Sequence, residues 1–118
     1  MSERYQIAII GAGPAGLSAA SRAADLGLPH ILLEASTHLA DTVQHYQKGK
    51  FVMAEPAVLP LRSRLPFEAS SREAVLNSWL SHSRRNDLNI LYKTKVISLH
   101  GQQGDFELHT TTGAVIQS

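Results

Sequence analysis

The chain has 118 residues, which is the size of a single domain. Hydrophobic residues make up 43% and charged residues 18%, a balance that suits a packed core and excludes wholesale disorder. The net charge of +1 argues against electrostatic binding to nucleic acid or membranes, and the absence of cysteine excludes disulfides, thiolate metal sites and a redox-active dithiol within this chain.

The N-terminal sequence MSERYQIAII does not have the pattern of a signal peptide, because its apolar run is short and ends at a glycine. No apolar run approaches the roughly 20 residues that a membrane-spanning helix needs. We therefore expect a cytoplasmic protein that binds neither membranes nor nucleic acid.

The chain then has the pattern of a βαβ unit. Ile7–Ile10 is a continuous apolar run that predicts a buried parallel strand. A helix is predicted from Pro14 to about Leu26, since proline is tolerated in a first turn and Gly27 is well placed as the C-terminal cap. His30–Glu34 predicts a second buried strand, which completes a unit of about 30 residues.

The middle of the chain is less regular. Ser36–Ala69 is predicted to be a long, mostly irregular segment with a short helical turn near His38–Tyr46. Ser70 and Glu73 form an S-x-x-E capping box. Apolar residues at helical spacing after it predict a helix over about 71–85.

The last third of the chain has the pattern of short strands. Leu88–Tyr92 predicts a third parallel strand. Three further runs separated by glycines predict an antiparallel meander: Lys95–His100, Phe106–Thr111 and Ala114–Gln117. The predicted fold class is α/β, with one Rossmann-like domain over residues 1–118 that combines a three-stranded parallel sheet and an antiparallel β-meander.

Three glycines lie between the first strand and the first helix in the pattern G-x-G-x-x-G. Gly11 permits the tight turn, Gly13 lets the backbone approach a pyrophosphate, and Gly16 lets the helix pack close to the strand. The helix N-terminus then offers unpaired N–H groups and a partial positive charge to phosphates. The turn therefore predicts a dinucleotide site.

Glu34 ends the second strand, 23 positions after Gly11. A carboxylate there accepts hydrogen bonds from both ribose hydroxyls of an adenosine and repels a 2′-phosphate, so FAD or NAD is favoured over NADP. A glycine-rich turn in another kind of α/β protein is the alternative. A P-loop is excluded, because Gly49 and Lys50 are followed by Phe51 rather than Ser or Thr.

The segments GAGPAGLSAA and ILLEAS resemble the N-terminal FAD-binding segment of the two-dinucleotide-domain flavoproteins. That group includes thioredoxin reductases, glutathione-reductase-like enzymes and flavin-containing monooxygenases. The resemblance covers the whole chain, and the spacing is most similar to the thioredoxin-reductase-like branch, including bacillithiol-disulfide-reductase-type proteins. It implies an FAD-dependent pyridine-nucleotide-disulfide oxidoreductase.

The resemblance also implies which residues hold FAD. The glycine turn would line the pyrophosphate, Glu34 would bind the adenosine ribose, and the backbone of Val96 would bind adenine. Thr42, with Asp41, falls where many members carry a Gly-Gly pair or a redox cysteine near the flavin. The residues implied as cofactor-binding are Gly11, Ala12, Gly13, Pro14, Ala15, Gly16, Glu34, Ala35, Thr42 and Val96. No catalytic residue and no metal ligand is implied.

The chain departs from this family at several points. No cysteine follows the second strand, so the glutathione-reductase-type active site is absent, and Ala15 stands where bacillithiol-reductase-like proteins carry a cysteine. The family's second FAD motif, its ribityl-binding Gly-Asp motif and its NAD(P)H domain are absent from the sequence. We therefore expect a truncated FAD/NAD(P)-binding domain that is inactive alone. The longer protein of which it would be a piece would transfer a hydride from NAD(P)H to FAD. Electrons would then pass to a disulfide, a ferredoxin-like partner or oxygen.

Two other functions stay open. A flavin-dependent monooxygenase shares this N-terminal layout, and the chain alone also suits a non-catalytic nucleotide-binding module. We expect the chain to self-associate through exposed sheet edges. The six histidines have no metal-ligand spacing, and Trp79 is predicted to lie in the core.

Overall fold

A computed structural model describes residues 4–52 and 62–118 of the chain. Its helices are α1 (Pro14–Asp25), α2 (Asp41–Gln44) and α3 (Arg72–Arg85). Its strands are β1 (Ile7–Ile10), β2 (His30–Leu33), β3 (Phe51–Val52), β4 (Ser70–Ser71), β5 (Ile90–Leu91), β6 (Val96–Gln102), β7 (Asp105–Thr110) and β8 (Val115–Gln117).

Strands β1, β2 and β5 form the parallel sheet, in the order β1-β2-β5. The central strand β2 is buried along its whole length, whereas Ile10 of β1 is 57% exposed. The predicted three-stranded parallel sheet is confirmed. β1 is less buried than predicted, because within the described residues it pairs only with β2.

Helices α1 and α3 lie on one face of this sheet. Leu17 of α1 and Trp79 of α3 are buried in one apolar cluster with Leu32 of β2. The indole N–H of Trp79 donates to the carbonyl of Pro66 at 2.8 Å, so its polar atom is satisfied in the core that the sequence predicts for it. None of the helices in the described residues is long and apolar enough to span a membrane.

Helix α1 begins and ends where the sequence predicts. Pro14 is its first residue, and Gly27 follows it with a φ of 68°. The N–H of Gly27 donates to Ala24 and that of Leu28 to Ala23, which closes the helix with the paired bonds of a Schellman motif. The position of this helix fixes the glycine turn at its other end.

The antiparallel meander covers the opposite face of the parallel sheet. Its strand order is β6-β7-β8, which confirms the predicted hairpin-connected arrangement. Leu108 and Ile116 of the meander pack against Ile31 and Leu33 of β2. Successive side chains of a strand point to opposite faces. Leu32 therefore packs against the helices, and its neighbours Ile31 and Leu33 pack against the meander.

The start of α3 differs from its predicted capping box. The N-cap is Ser71, whose hydroxyl accepts from the N–H of Ala74 at 3.2 Å. Glu73 accepts instead from the N–H of Gly49 at 3.0 Å. The capping box at Ser70 is therefore wrong by one residue, because Ser70 and Ser71 both lie in β4, which pairs with β3.

The segment Ser36–Ala69 is partly ordered by short elements. Helix α2 lies within the predicted helical turn, and the two-residue strand β3 was not predicted. Residues 53–61 of the predicted irregular segment lie outside the described residues.

Candidate functional site

The turn between β1 and α1 has the geometry that its glycines predict. Gly11 has a φ of 98°, a conformation that side chains rarely adopt. A Cβ on Gly16 would lie 1.8 Å from the carbonyl oxygen of Gly11, so α1 reaches the turn only because this position has no side chain. These two glycines are required by the fold itself.

Gly13 is different, because nothing in the described residues requires a glycine there. Its φ of −78° suits any residue, and a Cβ built on it meets no atom of residues 4–52 or 62–118 within 4 Å. The space beside Gly13 is therefore open. Open space at this position allows a ligand to approach the backbone closely, which is what binding of a dinucleotide pyrophosphate requires.

The N-terminus of α1 faces this open space. No side chain in the described part of the chain caps it, and Pro14 and Ala15 are exposed. The first N–H groups of a helix have no acceptor within the helix, and the helix dipole makes them a favourable partner for an anion. The N–H groups of Ala15 and Gly16 are therefore suited to a phosphate.

Glu34 lies directly beside this turn. Its side chain is buried, and one carboxylate oxygen accepts from the N–H of Ala12 at 2.8 Å while the other accepts from the N–H of Ser36 at 2.8 Å. Burial alone would raise the pKa of Glu34, but these hydrogen bonds outweigh it and hold the pKa below its usual value. The group is a carboxylate at neutral pH.

The same carboxylate retains acceptor capacity for a ligand. An ionised carboxylate has about four lone-pair sites, of which the two backbone N–H groups occupy two. Glu34 can therefore position the turn through Ala12 and still accept from ribose hydroxyls. The sequence motif predicts the second role, whereas the first is visible only in the folded chain.

A second ionisable residue, Tyr92, follows the strand next to that of Glu34. Burial, followed by the negative charge of Glu34, raises the pKa of the Tyr92 phenol above its usual value, although Arg84 opposes this. Tyr92 and Glu34 directly follow the paired residues Leu91 and Leu33, so both side chains start from the same edge of the parallel sheet. Tyr92 stays neutral and can donate a hydrogen bond at this edge of the sheet.

The other predicted cofactor-binding residues are placed around this turn by backbone contacts. Ala35 is exposed beside Glu34. The N–H of Ala40 donates to the carbonyl of Ala12 at 2.7 Å, which brings α2 and the exposed Thr42 next to the glycine turn. The N–H of Thr94 donates to the carbonyl of Glu34 at 2.9 Å, two residues before Val96. Their role in binding a cofactor stays a prediction.

Ala40 is a site residue that sequence reasoning missed. It is buried and has a φ of 52°, an uncommon left-handed conformation for alanine. The bond from its N–H to Ala12 fastens the segment after β2 to the turn and explains how this conformation is maintained. Alanine has no propensity for this conformation, so no signal in the sequence could have identified it.

A small cluster of ionisable side chains lies on and beside helix α2, near the turn. The Nε2 atom of His38 lies 2.7 Å from one oxygen of Asp41, and the Nδ1 atom of His45 lies 3.6 Å from the other. The carboxylate thus lies between the two imidazoles. No group of three or more His, Cys, Asp or Glu side chains in the described part of the chain is arranged to hold a metal ion.

Comparisons with known proteins agree with this architecture. The sequence profile of a family described as pyridine nucleotide-disulphide oxidoreductase matches residues 8–118. No curated protein sequence matches the chain. Solved structures similar to it include a bacillithiol disulfide reductase from Staphylococcus aureus, with 19% identity, a TM-score of 0.78, and coverage of 99% of this chain and 36% of that one.

Two other solved structures represent different activities. A flavin monooxygenase from Stenotrophomonas maltophilia, a Q193R H194T mutant, has 18% identity and a TM-score of 0.77, with 99% of this chain and 36% of that one covered. A ferredoxin-flavin thioredoxin reductase from Clostridium acetobutylicum has 26% identity and a TM-score of 0.72, with 98% and 35% covered. The chain thus spans about a third of the length of these proteins.

Proposed function

The chain belongs to the pyridine nucleotide-disulphide oxidoreductase family, and from this premise we propose that it is the FAD-binding portion of an NAD(P)H-dependent flavoprotein oxidoreductase. One observation carries the proposal. The turn keeps open space beside Gly13, at an uncapped helix N-terminus, next to the buried carboxylate of Glu34. Phosphate and ribose groups of one dinucleotide are the chemistry that this combination accepts.

The residues of the chain divide the binding of FAD between them. The backbone at Gly13 and the first-turn N–H groups of Ala15 and Gly16 would hold the pyrophosphate. Glu34 would accept from the ribose hydroxyls of the adenosine, and the backbone of Val96 would bind adenine. The rest of the site would be lined by Ala12, Pro14, Ala35 and Thr42. Gly11 would hold the turn in place.

A bound flavin would supply the redox chemistry, accepting a hydride from NAD(P)H and passing electrons to a disulfide or another redox partner. The contribution of this chain is to bind and orient the cofactor. The NAD(P)H site and the acceptor site belong, in this proposal, to a longer protein, and the chain alone has no turnover. The similarity to a ferredoxin-flavin thioredoxin reductase supports this branch of the family. We place the protein in the cytoplasm.

A flavin-dependent monooxygenase is the second candidate function. The Stenotrophomonas structure covers the chain as completely as the bacillithiol reductase does, at nearly the same TM-score. In a longer protein carrying this chain, reduction of a disulfide by NAD(P)H would support the reductase. Oxygen consumption that matches NAD(P)H oxidation and oxygenates a substrate would support the monooxygenase. A non-catalytic nucleotide-binding module would show neither.

The preference for an unphosphorylated ribose offers a test of the site on the chain itself. We expect ADP to compete with FAD for the chain, and 2′-phosphorylated ADP to compete at least about tenfold more weakly, because its extra phosphate meets the Glu34 carboxylate. Fluorescence titration of FAD with each competitor measures the ratio. Glu34→Gln should reduce the preference for ADP over 2′-phosphorylated ADP. Glu68→Gln, at an exposed position, should leave this preference unchanged. Equal competition by both nucleotides in the native chain would refute the assignment of Glu34.

A further inference from the structure

Two histidines come together on the meander. His100 of β6 and His109 of β7 have ring centres 5.1 Å apart, with the ring planes at 87° to each other. His109 lies two positions from Glu107, the residue directly opposite His100, so the two histidines are diagonal neighbours across the paired strands. The strand register therefore creates a pair that the spacing of histidines along the sequence does not indicate.

The pair lies on the face of the meander that points away from the core. Leu108 packs against β2, so the side chains before and after it in β7 point the other way. His100 is exposed, and the His109 side chain is 39% exposed. At its paired positions this face carries the following side chains: Ser98, His100, Glu107, His109, Val115 and Gln117. Among these six, the histidines are accompanied by one charged group, the Glu107 carboxylate.

The separation of the two rings suits a shared metal ion. A zinc ion about 2.0–2.1 Å from an imidazole nitrogen lies about 3.2 Å from the ring centre, so tetrahedral geometry places two ring centres about 5.2 Å apart. The observed 5.1 Å agrees with this value. The rings of His38 and His45, beside α2, are 6.5 Å apart, which is wider than such a site allows.

The carboxylate of Glu107 adds negative charge beside the pair. One of its oxygens lies 3.6 Å from the Nε2 atom of His109, and neighbouring ligand atoms on a tetrahedral zinc ion lie about 3.4 Å apart. No three donors surround a common point in the described residues. The two imidazoles are therefore the ligands that the chain supplies, and the partly exposed carboxylate and water are available for the other positions.

We propose that His100 and His109 bind one divalent transition metal ion that prefers imidazole ligands, with Zn²⁺ as the best geometric match. The ion would join β6 to β7 across their hairpin. Neither histidine is among the residues assigned to the dinucleotide site, so this metal site does not depend on the proposed function.

Calorimetric titration of the chelator-treated chain with zinc chloride at neutral pH tests the pair. The native chain should bind one Zn²⁺ saturably. His100→Gln and His109→Gln should each weaken binding at least about tenfold, because a single imidazole remains. His45→Gln is the matched control, because it removes an exposed ring beside Asp41, and it should bind Zn²⁺ as the native chain does. Equal affinity in His100→Gln and the native chain, or a loss of binding in His45→Gln, would overturn the proposal.

Thermal melting provides an independent measurement. A metal that binds the folded chain raises its melting temperature, so Zn²⁺ should stabilise the native chain and His45→Gln but not His100→Gln. Mg²⁺ should have no such effect, because it prefers oxygen ligands. Melting without metal shows whether His100→Gln still folds. A native chain with no saturable zinc binding, or the same zinc-dependent rise in His100→Gln, would also overturn the proposal.

Discussion

At the scale of single residues, the three glycines of the turn have separable roles. Gly16 is required by packing, since a Cβ would lie 1.8 Å from the carbonyl oxygen of Gly11. Gly16→Ala should therefore lower the free energy of unfolding by about 1–3 kcal/mol, toward the upper end because the oxygen that the Cβ would meet belongs to the backbone. Ala19→Gly, at an exposed position of α1, is the reciprocal change and should cost no more than about 1 kcal/mol. Urea denaturation measures both, and an equal loss in the two variants would argue against the close approach.

Glu34 makes stability depend on pH in a defined direction. Its folded pKa lies below 4.5, the ordinary value for a glutamate, so the unfolded chain binds more protons as the pH falls. The stabilisation by Glu34 is then present above pH 4.5 and is lost as the pH falls from there through the folded pKa. We expect the native melting temperature to fall over this window.

The variant Glu34→Gln isolates this contribution. It should lower stability at neutral pH by about 1–3 kcal/mol, because an amide N–H₂ would face the N–H of Ala12 or Ser36 and leave one donor without its acceptor. It should also reduce the fall in melting temperature at acidic pH. Glu68→Gln, at an exposed carboxylate, should change neither. If Glu34→Gln showed the same fall in melting temperature at acidic pH as the native chain, that fall would have to come from other groups.

At the scale of elements, a buried histidine joins α1 to α3. The Nε2 atom of His82 lies 2.8 Å from the hydroxyl of Ser21, and its Nδ1 atom lies 3.2 Å from the amide nitrogen of Asn86. The amide can only donate, so Nδ1 accepts and Nε2–H donates to Ser21. This arrangement needs a neutral ring. Burial, and then the charge of Arg85, lowers the pKa of His82 accordingly.

This junction should weaken as the ring becomes protonated. The folded pKa of His82 lies below 6.5, the ordinary value for a histidine. The unfolded chain therefore takes up the proton first, and stability is lost as the pH falls below 6.5 toward the folded pKa. We expect the melting temperature to fall between neutral pH and mildly acidic pH. His82→Gln should be less stable at neutral pH but should lose this dependence. His45→Gln, at an exposed ring, should keep it, and a His82→Gln chain with an unchanged pH profile would contradict the assignment.

The elements that the sequence predicts are those with a long periodic pattern or a specific signal. The βαβ unit, α3 and the meander were all predictable, because their apolar spacing and their glycines reflect the core that they form. The start of α3 was not, because the S-x-x-E pattern favours Ser70, while pairing of β4 with β3 delays the helix to the residue after Ser71. Two-residue strands such as β3 have no period to detect.

The candidate site could be predicted to a similar extent. The motif identifies the glycine turn and Glu34, because their chemistry is local in sequence. The bonds that assemble the site are not local: Ala12 joins Glu34 and Ala40, which are 22 and 28 positions away along the chain. Backbone N–H groups carry no residue identity, so such bonds become visible only once the fold is known.

At the scale of the whole molecule, the chain has two layers around its parallel sheet and the candidate dinucleotide site at one end of that sheet. The helices and the meander bury opposite faces of β2, and this rigid centre holds Glu34 against the turn. The site is therefore assembled within the described residues. We expect the chain to recognise the ADP half of FAD without the rest of a longer flavoprotein.

The measurement that tests this account most directly is the absorbance spectrum of the purified chain after incubation with FAD and desalting, recorded beside Gly13→Asp. The native chain should retain a flavin band shifted from that of free FAD. Gly13→Asp should lose the band without losing its cooperative melting transition, because aspartate is a good N-cap but places a charge where the pyrophosphate binds. Ala19→Asp adds the same charge at an exposed position of α1 and should retain the flavin. A native chain that melts cooperatively yet keeps no flavin, or a Gly13→Asp chain that keeps it, would contradict the assignment of this turn as an FAD site.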